Sequence, residues 1–354
     1  VNREDVVKPE GRLKTAKNAK PYVPPVFRVI SDNIAKYGNP LGLPSKDCTS
    51  WADGLKIPER GKTILYTGGE YQMTPYLPSL VGVLKRVKFE DTLFTAFKGL
   101  QSLTGKIRVN LFKTYTGVAG RESGTYNNLL RMAALSLQRL GVDFAYLGDR
   151  ELYSGALLYE YGLFEELKEQ AKRVASQFKE ANIAKIIALS PHSAEVFQKV
   201  YPEFIDSFDF EVSPYIAIMA TALNKSGVEL SLPERLTVTI HDPCHLARSL
   251  KVTEEPRQVL QAIGNLELRE VTTGKDETRC CGAPCEIIYP ELSELLATKR
   301  LEELSATGTE AVVTLCPFCH ANLTRAANLT GKKLRVIDFV EIIHRTLEAS
   351  RAQA

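Results

Sequence analysis

Cysteine is scarce in this chain, long apolar runs are missing, and neither sign of charge dominates. Seven cysteines in 354 residues are too few for a disulfide scaffold. No stretch approaches the roughly 18 apolar residues of a membrane-spanning helix. The N-terminal VNREDVVKPEGRLKTAKNAK is charged and has no apolar core of the signal-peptide kind. A cytoplasmic location is therefore expected, with peripheral membrane association as the closest approach to a bilayer. Lys+Arg 45 against Asp+Glu 42 leaves a formal charge of +3, whereas phosphate recognition wants a concentrated basic face; nucleic acid is set aside. What is present, 44% hydrophobic and 25% charged residues, is the balance of a soluble globular protein long enough for two domains.

TILYTGG (63–69), a β-branched and aromatic run ending in glycines, reads as a strand delivering a turn. RLTVTIHDPCH (235–245) repeats that grammar, so two α/β units are expected to start near 61 and 234. The similarity extends further, which points to duplication. YSGALLYEYGLFEELKEQAKRV (153–174) matches CCGAPCEIIYPELSELLATKRL (280–301): a glycine turn, then apolar residues at helical spacing. AKIIALSPHSAEV (184–196) matches EAVVTLCPFCHAN (310–322), a strand and then a proline-bearing turn. These matches predict an α/β protein of two pseudo-symmetric halves with mostly parallel sheets. The expected division is an N-terminal extension over 1–60, a first half over 61–233 and a second over 234–354. NPLGLPSKDCTSWADGLKIP (39–58), punctuated by Pro and Gly, reads as an ordered connector. Residues 77–113 are expected as an insertion of two packed helices; their basic cluster Lys85, Arg86, Lys88 leaves a docking face for a partner or membrane open.

Six of the seven cysteines lie in the last third of the chain, which in a reducing compartment points to metal or redox chemistry. Cys244 is followed after 35 residues by Cys280-Cys281, and after 34 more by Cys316-x-x-Cys319. A C-x-x-C turn can bring two thiolates to one metal. Vicinal cysteines on a tight turn before Gly282 can address different irons of one cluster, and thiolates are the soft ligands such clusters select. Five convergent thiols exceed what a zinc ion needs, although structural zinc and simple burial remain alternatives. Cys285 and Cys48 are expected to pack or sit idle, with Cys285 as a spare thiol. His245 and His320, each following a cluster cysteine, are candidates for donors that tune the sulphurs, as is Arg248 for a nearby positive charge. In the first half Tyr153 and Ser154 stand where Cys280 and Cys281 stand, Ser190 and Ser193 where Cys316 and Cys319 stand, and Gly69 where Cys244 stands.

HDPCHLAR, RCCGAP and LCPFCHANL resemble the cysteine-rich "CCG" domain family, Cys-x(31–39)-Cys-Cys-x(35–36)-Cys-x-x-Cys in broad form; the second spacer here is one residue short. The family includes the B and D subunits of heterodisulfide reductase and iron–sulphur subunits of glycolate, lactate, glycerol-3-phosphate and succinate dehydrogenase complexes. The resemblance implies that Cys244, Cys280, Cys281, Cys316 and Cys319 hold one [4Fe–4S] cluster, noncubane as in the reductase's B subunit, while Tyr153, Ser154, Ser190 and Ser193 cannot hold a twin. It further implies an oxidoreductase subunit that transfers electrons and acts on a thiol, disulfide or other sulphur compound, fed by a ferredoxin-type subunit. The degenerate first half suits the accessory B-like copy of sulphur-oxidising heterodisulfide-reductase-like complexes. An iron–sulphur subunit of one of the dehydrogenases, or a zinc-stabilised adaptor, are the other readings.

Overall fold

The short β-branched and aromatic runs form strands, as their pattern predicts. The computed structural model describes residues 23–78 and 119–353. Its strands are β1 (Thr63–Tyr66), β2 (Lys185–Ala188), β3 (Glu211–Pro214), β4 (Leu230–His241), β5 (Ile263–Leu268), β6 (Ala311–Thr314) and β7 (Arg335–Asp338). They build a three-stranded sheet of order β1-β2-β3 and a four-stranded sheet of order β5-β4-β6-β7. Every pairing is parallel. Parallel strands are covered on both faces, and AVVT of β6 is accordingly buried at all four positions.

Between and around the strands run α1 (Pro25–Tyr37), α2 (Glu70–Met73), α3 (Ala119–Arg139), α4 (Ala156–Glu160), α5 (Phe164–Glu180) and α6 (Pro191–Glu195). They are followed by α7 (Tyr215–Ser226), α8 (Glu254–Gln261), α9 (Pro290–Ser305), α10 (Pro317–Thr330) and α11 (Phe339–Gln353). Helix α5 shows why such segments cross over a sheet: Leu167, Ala171, Val174 and Phe178 recur at helical spacing and are buried, while Glu165, Glu166 and Lys168 stay on its outer side.

The registers make the duplication explicit. Tyr66 of β1 pairs with Ala188 of β2, which pairs with Pro214 of β3. His241 of β4 pairs with Thr314 of β6, which pairs with Asp338 of β7. An isolated parallel bridge from Ile64 to Ala145 flanks β1 where β5 flanks β4. Counting three residues on from the paired strand ends sets Gly69 against Cys244; counting two and five sets Ser190 and Ser193 against Cys316 and Cys319. Gly155 and Gly282 adopt the same left-handed conformation, φ 82° and 86°, and align Tyr153-Ser154 with Cys280-Cys281.

The two halves do not keep separate cores. One buried cluster joins Ile64 and Phe178 to Leu301 and Leu323, and the other joins Leu65 and Tyr126 to Val238 and Ile343. The N-terminal region is also part of the body: Phe27 of α1 stacks on Tyr161 with ring centroids 4.0 Å apart. The connector supplies Trp51, buried, with its indole N–H donating to Tyr146 Oη at 3.2 Å. From residue 79 on, the expected insertion with Lys85, Arg86 and Lys88 lies outside the described residues. Among the described residues no helix is long and apolar enough to cross a membrane.

Candidate metal centre

The carboxyl ends of parallel strands are where open α/β sheets place their ligands, and the cysteines collect there. Cys244 follows β4 through Asp242-Pro243, and Cys316 follows β6 as the N-cap residue of α10. Cys319 lies in the first turn of that helix. Cys280 and Cys281 come in on the loop between β5 and α9. The five thiols form one continuous chain of contacts. Cys244 hydrogen-bonds Cys280, Cys280 hydrogen-bonds Cys281, Cys281 Sγ donates to Cys319 Sγ at 3.3 Å, and Cys319 hydrogen-bonds Cys316. None of the seven cysteines is in a disulfide.

So crowded a group cannot ionise freely, because each thiolate raises the cost of the next. Hydrogen bonds from Cys244 and Cys281 pull Cys280 down to about 2. Burial opposes ionisation of Cys316, but the Cys319 thiol and the charge of His192 hold it well below the usual thiol range. Cys244, Cys281 and Cys319 are pushed up by the same hydrogen bonds, with burial adding to them. This is a donor set short of positive charge: a cationic group placed among the sulphurs would draw off the remaining protons. In that respect the residues fit an iron–sulphur cluster.

The vicinal loop is held from several sides. Gly282 needs its left-handed φ, and a Cβ there would meet the Ser293 carbonyl oxygen at 2.6 Å. Its N–H donates to Cys280 Sγ at 3.3 Å. Asn322 of α10, buried, donates to the Cys281 carbonyl at 2.6 Å and to Ser293 Oγ at 3.1 Å. Arg248, at the turn after Cys244, donates to the Thr278 carbonyl, so it braces the approach to Cys280. Cys285 is partly exposed and hydrogen-bonds the Gly282 carbonyl at 3.1 Å; burial raises its thiol. Cys48 lies in the connector, pushed up to about 12 by burial.

The histidines divide differently from their order in the sequence. His320 turns to Tyr126, with Nδ1 3.1 Å from Tyr126 Oη and the rings edge-on. His245 is engaged by Glu195 and, at 3.5 Å, by Glu160. Two other imidazoles approach the sulphurs instead. His241, at the end of β4, falls in one group with the Cys281 and Cys319 thiols, donor atoms within 4.8 Å of one another. Arg300 Nε lies 3.2 Å from its Nδ1, and burial, then Arg300, lowers the ring to about 3, so it is neutral. His192 reaches over from the first half and hydrogen-bonds Cys316. His192 precedes Ser193 in the PHS turn that mirrors PFC, and that internal repeat was the signal that could have found it. Nothing in the local sequence marks His241.

In the first half the equivalent positions hold a polar network. Ser193 Oγ lies 3.0 Å from Ser154 Oγ, where Cys319 and Cys281 make their 3.3 Å contact. It also lies 3.0 Å from Glu70 Oε1, and Glu70 stands in register with His245. Burial pushes the Glu70 carboxyl up to about 7.

Residues 238–324, the stretch carrying all five thiols, match the family described as Cysteine-rich domain, CCG. Over that stretch the chain is similar to the CCG family. Its relatives include the probable iron-sulfur-binding oxidoreductase FadF of Bacillus subtilis (strain 168), 29% identical over 232 residues, 62% of this chain and 32% of that protein. The D subunit of the dihydromethanophenazine:CoB--CoM heterodisulfide reductase of Methanosarcina barkeri (strain Fusaro / DSM 804) is 27% identical over 233 residues, 64% of this chain and 57% of that one. The B subunit of the fumarate reductase (CoM/CoB) of Methanothermobacter marburgensis (strain ATCC BAA-927 / DSM 2133 / JCM 14651 / NBRC 100331 / OCM 82 / Marburg) is 26% identical over 185 residues, 51% and 35%. The chain thus spans from about a third to just over half the length of these relatives. It is related to iron–sulphur oxidoreductases that include subunits of multisubunit complexes.

Proposed function

We propose that this chain is an iron–sulphur subunit of a heterodisulfide-reductase-like complex, with Cys244, Cys280, Cys281, Cys316 and Cys319 holding one noncubane [4Fe–4S] cluster. The unbroken chain of five buried or half-buried thiols carries this reading, since it offers one more soft ligand than a cubane or a zinc ion uses. In this division the CCG domain spans 234–354, and 61–233 is a half whose serines leave it without a cluster. When bound, the cluster supplies one-electron transfer and metal sites that take up sulphur.

The chain's own residues supply the setting. Gly282 and Asn322 fix the vicinal loop. The ring of His192 and the Cys319 thiol donate toward Cys316, lowering the charge the sulphurs must bear. An apolar cleft lined by Met73, Leu157, Ala283, Pro284, Ile287 and Phe318 opens beside this loop and suits a thiol or disulfide with an apolar arm. Electrons would come from a ferredoxin-type subunit of the same complex.

Anaerobic purification followed by iron and acid-labile sulphide analysis tests the proposal, with EPR before and after thiol addition. About four irons and four sulphides per chain are expected, with an EPR signal that responds to thiol and is lost or converted in Cys281→Ser. A protein without iron and sulphide would remove the cluster; a signal indifferent to thiols would remove the sulphur chemistry.

A further inference from the structure

At the junction of the halves, beside the chain of five thiols, three other donors converge. Glu160 ends α4, His192 lies in α6, and His245 directly follows Cys244. Their ligand atoms lie within 4.8 Å of one another. The two ring nitrogens aim at a single oxygen: His192 Nδ1 is 2.5 Å and His245 Nε2 3.5 Å from Glu160 Oε1. Glu160 is about nine-tenths buried, and its Oε2 has no partner among the described residues. The imidazole centroids lie 3.9 Å apart, with the rings tilted by 35°. A single cation among the two rings and the carboxylate would engage all three donor atoms at once.

The outer partners are also those of a metal site. A ligating histidine donates its second ring N–H to a fixed acceptor, which sets the tautomer. His245 has Glu195 on its Nδ1. His192, with Nδ1 on Glu160, is left with Nε2 for its hydrogen bond to Cys316. Two imidazoles and one carboxylate form a ligand set that suits a divalent cation with an open position. The cleft lined by Glu160 and His192 gives such an ion a way in.

We propose that Glu160, His192 and His245 bind one zinc ion at this junction, with Glu195 orienting His245. The ion would sit among Glu160 Oε1, His192 Nδ1 and His245 Nε2 and leave the other side of the His192 ring toward Cys316. The two halves would then share a second metal, one imidazole away from the thiol site.

The test is zinc K-edge X-ray absorption and zinc analysis on the full chain, purified anaerobically with added zinc. One zinc per chain with only nitrogen and oxygen neighbours is expected. Glu160→Gln should weaken zinc binding at least about tenfold in chelator competition, and Glu195→Gln by about 10–100-fold. Iron content should stay unchanged in both. Sulphur neighbours around the zinc would put the ion on the cysteines and overturn the proposal, as would failure to retain zinc against the chelator. Equal zinc affinity in wild type and both variants would also overturn it. The absorption spectrum needs no variant, so a variant that misfolds leaves the test intact. Zinc bound here in a protein devoid of iron would leave this site standing while the cluster reading fell.

Discussion

Single residues decide whether the vicinal thiols can point inward. Gly282 combines a left-handed φ of 86° with the Ser293 carbonyl 2.6 Å from any added Cβ. Because that neighbour is backbone, the loop has to move. Gly282→Ala is expected to cost at least about 1–3 kcal/mol, read as a lower urea midpoint, and to lower bound iron per chain. A variant with wild-type stability would show that the loop does not need this conformation. Glu70 tests the other half. Its carboxyl is pushed from 4.5 up to about 7 by burial, so the folded chain keeps a proton that the unfolded chain releases. That contribution favours folding at low pH and is lost as pH rises from about 4.5 to 7. At pH 8 the full penalty applies, about 3 kcal/mol from a shift of this size. Glu151 and Asp338, also raised to about 7 by burial, slope the same way. Glu70→Gln should therefore lose clearly less stability than wild type between pH 5 and pH 8 in urea titrations, without abolishing the slope. Equal slopes would mean that Glu70 does not carry this proton.

At the scale of elements, the turn after β4 hangs on one ion network. Arg257 of α8 grips Asp242, the residue two before Cys244, through Nη1 and Nη2 at 2.8 and 2.9 Å. It reaches Glu270 after β5 through Nε and Nη2 at 2.7 and 2.9 Å. Asp242 and Arg257 are both buried, and a buried charge deprived of its partner is costly. Arg257→Met is expected to destabilise the chain by about 3–5 kcal/mol, with much of that recovered in the double variant Asp242→Asn/Arg257→Met. Calorimetry or urea unfolding checks both. No recovery would mean that Arg257 acts through packing rather than through Asp242. At this scale the order of elements was legible in the sequence: TILY, KIIA and AVVT are strands, and PELSELLATKRLEELS is helical throughout. Trp51 was not legible as core, because a Pro- and Gly-punctuated connector carries no periodicity to announce that one of its side chains is buried.

For the whole molecule, duplication did not produce two independent bodies. α11, at the chain's end, packs on α3 of the first half and on β4 of the second. Tyr71 Oη lies 3.1 Å from Asp338 Oδ2 across the same divide. Shared cores make separate unfolding expensive, since parting the halves would expose both apolar clusters. Trp51, the only tryptophan, belongs to the N-terminal portion, so its fluorescence should lose its folded signal at the same urea midpoint at which the buried thiols Cys281, Cys316 and Cys319 become reactive. Two separate midpoints would show the halves to be independent units.

By itself the sequence determined the strand–turn–helix order, its doubling, and the five thiols with their spacing, because periodicity, glycine turns and C-x-x-C reach are local properties of the chain. It also located the serines that replace the thiols in the first half. Only the tertiary structure decided which polar groups meet. It brought His192 from one half onto Cys316 of the other, drew His241 toward Cys281 and Cys319, and gave His320 to Tyr126. It also drew Glu160, His192 and His245 together from segments up to 85 residues apart. Such meetings follow from how the two halves pack around shared cores, and no local pattern records that packing.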